Sequence, residues 1–299
     1  MIYGLGAALG WGLADVMVAL IARRIGSFVT LVIGQLASLI AFTMLWLSGV
    51  TSVGHLHPAL LLLPLIGVSG ALSYVCFYRA LELGPIALVS PIAAGYAAIV
   101  IALALLILRE PVPPLAVVGA FVAIGGVVLA STDLHDIGVP RDGPRSGVFF
   151  AVLAMLGFGF GAFLIGHFAK DVGWFGAIYL SRAGSAITLL VIFFGVRRGA
   201  RRSTKSDPSS WLTGRMKLPR HLGAMAPAVV IGLLDIMGFA SFARGAELGF
   251  ISITAAASVT YPLIPIVGGV LYLRERPAAS QWLGVAVVVG GLILLAVGR

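Results

Sequence analysis

Ten stretches of about twenty residues, nearly unbroken in apolar side chains, follow one another along the chain. They cover 2–22, 28–48, 59–80, 85–108, 114–131, 147–168, 174–196, 222–243, 250–273 and 279–297. A helix rises 1.5 Å per residue and the hydrocarbon core of a bilayer is about 30 Å thick, so each stretch reads as a spanning helix. Turn or charge chemistry marks the breaks: Arg23 to Ser27, Gly49 to Pro58, Glu82 to Pro85, Arg109 to Pro114, Thr132 to Ser146, Lys170-Asp171, Glu247 to Gly249 and Arg274 to Pro277. A closed barrel is excluded, because its strands alternate polar and apolar and these runs are apolar throughout. The pattern predicts an all-α integral membrane protein of ten transmembrane helices.

The pattern also repeats. Moving residues 79–131 forward by 165 positions lays them on 244–296 without a gap. Arg79, Glu82, Leu83 and Gly84 fall on Arg244, Glu247, Leu248 and Gly249, and Tyr96 falls on Tyr261. Arg109-Glu110 fall on Arg274-Glu275, and Gly125-Gly126 fall on Gly290-Gly291. Nearer the front, Leu9 to Gly12 resembles Leu156 to Gly159 at an offset of 147. This divides the chain into a first five-helix repeat, 1–146, and a second, 147–299. Five is odd, so the second copy enters the membrane from the opposite face, which makes a 5+5 inverted repeat. Such halves enclose a central site that alternates between the two sides of the membrane.

Composition fits a lipid solvent. Hydrophobic residues make up 60% of the 299 and charged ones 10%, with mean hydropathy +1.09, whereas soluble domains carry about 25% charged residues. The 39 glycines suit close helix packing where no hydrophobic effect drives helices together. The net charge of +9 is concentrated: eight of the 20 Lys and Arg lie between Arg197 and Arg220. In a loop (197–221) beside apolar helices, that cluster reads as a topology signal facing anionic lipid headgroups, and nucleic acid is not an expected partner. The single cysteine, Cys76, excludes an internal disulfide. There is no Cys/His cluster with metal spacing and no cofactor motif. The first apolar run has no basic flank or small-residue cleavage site, so it reads as a retained helix.

These features together resemble the drug/metabolite transporter superfamily, EamA type, over essentially the whole chain. The carrying residues are the duplicated Arg-x-x-Glu-Leu-Gly turn at Arg79 to Gly84 and Arg244 to Gly249. With it go the Arg-Glu pairs ending helices four and nine, and the Gly-Gly pairs in helices five and ten. Length and plan are similar to the YddG-type amino acid exporters. The resemblance implies an inner-membrane, multi-pass exporter of small metabolites, amino acids among them, with multidrug or other metabolite efflux as the alternative in the same fold. The expected assembly is a monomer, with a dimer as the alternative.

Charge and resemblance disagree on orientation. With the termini outside, cytoplasmic loops collect Arg23, Arg24, Arg141, Arg145, the basic loop, Arg274 and Arg276, against Arg109, Lys170 and Arg299 on the other face. The positive-inside rule therefore places the termini outside. Family resemblance places them inside.

Ionisable groups inside the apolar runs are few, and a charge at the bilayer centre costs about 2.5–3.5 kcal/mol on insertion scales, so each must face protein or water. Asp15 lies within the first helix, sharing a face with Ala8, Trp11, Gly12 and Ala19. It reads either as a hydrogen-bonded lock between helices or as a proton or substrate-amine site. Asp235 in helix eight and Arg182 in helix seven are candidates for a buried pair or for substrate contact. No Lys/Arg cluster sits at membrane depth, which argues against phosphorylated cargo. Pro91, Pro262 and Pro265 interrupt helices four and nine, as hinges or cavity walls do. Ser90, Tyr96, Ser258 and Tyr261 lie beside them. Trp11, Tyr74, Tyr78, Phe158 and Phe163 are aromatic candidates for a cavity lining.

Other classes leave marks that are not in the sequence. A membrane enzyme needs a nucleophile or a paired acid and base, and no catalytic constellation is visible. A channel needs a filter loop or a charged ring, and a primary pump needs a phosphate-binding loop. Secondary transport, or facilitated export, remains.

Overall fold

The computed structural model describes residues 2–52, 59–110, 113–131, 144–200, 225–274 and 279–297. Most of the basic loop lies outside the described residues, as do Glu275 and Arg276, Arg141 and the polar linker at 132–143. Among the described residues the structure is helical with no strand. The helices are α1 Ile2–Ile25, α2 Ser27–Leu47, α3 Ala59–Leu83, α4 Ile86–Ala94, α5 Tyr96–Leu106, α6 Pro114–Ser131, α7 Pro144–Ala200, α8 Ala226–Leu248, α9 Ile251–Ser258, α10 Leu263–Leu271 and α11 Ala279–Val297.

Seven stretches among the described residues are long and apolar enough to cross a membrane, of which Gly147–Gly195 in α7 holds 49 residues. A straight helix of that length would run about 74 Å, more than twice the hydrocarbon thickness. It does not run straight. Gly173 has φ 79° and ψ 151°, which breaks α7 into two arms. Gly26, between α1 and α2, has nearly the same backbone at φ 93° and ψ 143°. Positive φ with extended ψ is tolerated essentially by glycine alone. The two glycines are 147 positions apart, the offset of the front repeat.

Two predicted helices are not continuous. The run at 85–108 divides at Gly95 into α4 and α5, and the run at 250–273 divides at Val259 to Pro262 into α9 and α10. At both breaks the bonds tighten to a three-residue span: Gly95 N–H to the Ile92 carbonyl at 3.0 Å, and Tyr261 N–H to the Ser258 carbonyl at 3.1 Å. Proline explains part of this. Pro91 lies inside α4, where it removes one ladder bond, and the helix gives way a turn later at Gly95. Pro262 opens α10 and Pro265 follows within it. Beyond the broken helices, Arg109 and Arg274 both take φ 52°, uncommon for a side chain of that size and again 165 positions apart.

Close helix contacts come in reciprocal pairs. A methyl added at Gly10 would meet Gly238, and one added at Gly157 would meet Ser73. Gly12 abuts Ile264 as Gly159 abuts Ile99. Gly126 packs on Val288 as Gly291 packs on Ala123. Under the offsets of 147 and 165 each contact maps onto its mate with its members exchanged. The main packing follows this exchange: α1 lies on α8, α3 on α7 and α6 on α11.

Candidate functional site

Asp15 is buried in the middle of α1, against α4. Ser90 Oγ donates to its Oδ2 at 3.0 Å. Opposite, Arg182 Nη2 on the second arm of α7 lies 2.7 Å from Asp235 Oδ2 on α8. The Tyr74 hydroxyl on α3 closes the group, donating to Asp235 Oδ1 at 2.8 Å and accepting from Arg182 Nη2 at 3.1 Å. Rings flank the guanidinium, with Phe239 at 4.4 Å and Tyr74 at 5.2 Å from Cζ to ring centre. Pairing, hydrogen bonding and ring contact are what make a buried charge tolerable.

The broken helices are stitched to each other at this depth. Tyr96, the first residue of α5, shares a 2.5 Å hydrogen bond with Ser258 at the end of α9. Tyr261, in the α9–α10 turn, donates to the Ser90 carbonyl of α4 at 3.1 Å. Each tyrosine thus reaches the broken helix that the other one belongs to. Trp11 stands between them, edge-on to Tyr96 at 5.9 Å, Tyr261 at 6.3 Å and Phe239 at 5.0 Å. Its Nε1 is buried without a hydrogen-bond partner among the described residues.

A cavity of about 60 Å³ lies inside this ring. Seven of the residues singled out in the sequence line it: Trp11, Asp15, Tyr74, Tyr96, Phe158, Asp235 and Tyr261. Ser90 and Ser258 stand behind, bonded to lining side chains. Arg182 borders a neighbouring cavity. Tyr78 is buried against Tyr74, and Phe163 stacks on His167 rather than on the cavity. Phe77, Ala162 and Phe239 complete the lining. None of these three is among the candidates named from the sequence, yet helical spacing points to each: Phe77 is three residues from Tyr74, Ala162 four from Phe158 and Phe239 four from Asp235.

Aromatic walls with two carboxylates suit a small molecule carrying a cationic nitrogen. Among the described residues no group of His, Cys, Asp and Glu is arranged to hold a metal ion.

A family model for EamA-like transporters matches residues 1–132 and 145–297. The chain belongs to the EamA-like transporter family. Its activity is therefore membrane transport of small metabolites. A solved crystal structure resembles this EamA-like transporter with a TM-score of 0.62 at 17% identity, over 98% of this chain and 94% of its own. At that identity the likeness concerns the fold. No curated protein matches the chain.

Proposed function

We propose that this EamA-like transporter exports small metabolites, amino acids foremost, by alternating access to the aromatic cavity between two inverted five-helix halves. The observation that carries this reading is the placement of Asp15, Asp235, Arg182 and Tyr74 together at mid-helix depth, where the two broken helices hydrogen-bond to each other. Discontinuous helices at a repeat interface are where secondary transporters build their sites. The reciprocal contacts and the paired breaks at Gly26 and Gly173 support the inverted repeat. Counting the arms of α7 as two spans, and α6 and α11 as one each, supports ten crossings. At about 60 Å³ the cavity is smaller than the 300–1,000 Å³ of open ligand pockets, which fits a closed stage of the cycle. The charge asymmetry supports termini on the outer face of the inner membrane.

The test is purified protein in liposomes with a panel of labelled amino acids, with and without a pH gradient. Saturable flux of at least one amino acid is expected, and flux of none overturns the reading. For orientation, a reporter fused after Arg299 is expected to work only outside; cytoplasmic activity reverses the assignment.

A further inference from the structure

A second cavity of about 40 Å³ adjoins the first, and Tyr74, Phe158, Ala162 and Phe239 line both. Arg182 and Ser185 border the second. Arg182 Nη1 and Ser185 Oγ are both buried without a partner among the described residues, in residues each 4% exposed. They lie three apart on one helix arm and so share a face. Buried polar groups are nearly always hydrogen-bonded, and an unpaired one costs free energy, so two unused donors on one wall call for an acceptor. The lining leaves room for it: Gly70 and Gly161 also border this cavity, and a methyl added at either would touch nothing within 4 Å among the described residues.

We propose that this second cavity is the carboxylate subsite of the transport site, holding the cargo's carboxylate on Arg182 Nη1 and Ser185 Oγ. The ammonium group of the same molecule faces Asp15 and Asp235, which line the first cavity. The inference rests on the proposed transport of amino acids and narrows it to molecules with adjacent ammonium and carboxylate groups. Charge separates the acid from the other two, and hydrogen bonding in the second cavity separates the zwitterion from the amine. Two carboxylates against one guanidinium leave the site with one negative charge in excess. A zwitterion adds none and gives each of its ends a counter-group. An amine without a carboxylate leaves the two donors unpaired. An acid without an amine adds to the excess and is rejected. For the two cavities to accept one molecule, the shared wall of Tyr74, Phe158 and Phe239 must part.

The experiment measures flux in liposomes for four labelled probes: phenylalanine, phenylalanine amide, phenethylamine and 3-phenylpropionate. Phenylalanine is expected to be carried at least about tenfold better than its amide or phenethylamine, the loss of one charged hydrogen bond. Phenylpropionate is expected to stay at background. Ser185→Ala is expected to weaken the apparent affinity for phenylalanine several-fold and leave that for phenethylamine unchanged. Equal transport of phenylalanine, its amide and phenethylamine overturns the subsite while leaving the protein a transporter. Flux of none of the four removes the amino acid reading and the subsite with it. The probe series needs only the unmodified protein, so a folding defect in the variant leaves it decisive.

Discussion

Arg182 reaches Asp235 across the bundle at 2.7 Å, joining the second arm of α7 to α8. The two are 53 positions apart, and the whole basic loop lies between them. Removing one partner leaves a buried charge uncompensated, which costs about 3–5 kcal/mol where it has been measured. Arg182→Met is therefore expected to lower thermal stability in detergent by a destabilisation of that order. The paired variant Arg182→Met with Asp235→Leu is expected to recover at least half of the loss. Failure of the pair to recover any stability counts against the bridge.

Asp15 presents a different expectation, because its hydrogen bond from Ser90 survives an amide. Ser90 Oγ–H can donate to an asparagine oxygen as it does to Asp15 Oδ2. Asp15→Asn should fold, insert and melt like the parent, and its flux in liposomes should fall to background. Full transport by Asp15→Asn reduces Asp15 to a helix lock.

Glu110 was legible in the sequence only as half of a helix-end Arg-Glu pair. In the structure it caps another helix. Its carboxylate accepts from the Ile251 N–H at 3.2 Å, and from the Ser252 N–H and Oγ at 3.2 and 2.8 Å, at the start of α9, with Lys170 Nζ 3.4 Å away. Negative charge at a helix N-terminus is favourable, and hydrogen bonds to charged groups contribute about 1.5–3 kcal/mol. Glu110→Ala is expected to destabilise by at least about that much, and Glu110→Gln by less, since one amide oxygen remains to accept. Equal melting of Glu110→Ala and the parent would exclude the cap.

The duplicated Gly-Gly pairs are expected to divide, second from first. A methyl at Gly126 would press into the backbone and side chain of Val288, and one at Gly291 would lie 2.8 Å from Ala123 Cα and from the Gly119 carbonyl. At Gly125 and Gly290 it would meet nothing within 4 Å among the described residues. Gly126→Ala and Gly291→Ala should each cost about 1–3 kcal/mol by overpacking. Gly125→Ala and Gly290→Ala should be neutral or slightly stabilising, since alanine is the better helix former. Melting temperatures of the four variants decide it.

The sequence alone determined the solvent, the helices and the repeat. Length and apolarity are local quantities, and lipid leaves a backbone few alternatives to the helix. The duplicated Arg-Glu and Gly-Gly pairs likewise needed no coordinates to be seen. Only the tertiary structure decided where the fourth and ninth runs break, because a proline weakens a turn and the surrounding contacts choose which residue yields. It also decided the partners. Asp15 belongs with Ser90 and Arg182 with Asp235, choices that helix-face periodicity cannot make between helices distant in sequence. Phe239, Ser185 and Glu110 show the same limit. Each carries an ordinary residue type at an ordinary spacing, and its role comes from what the opposing helix puts in front of it.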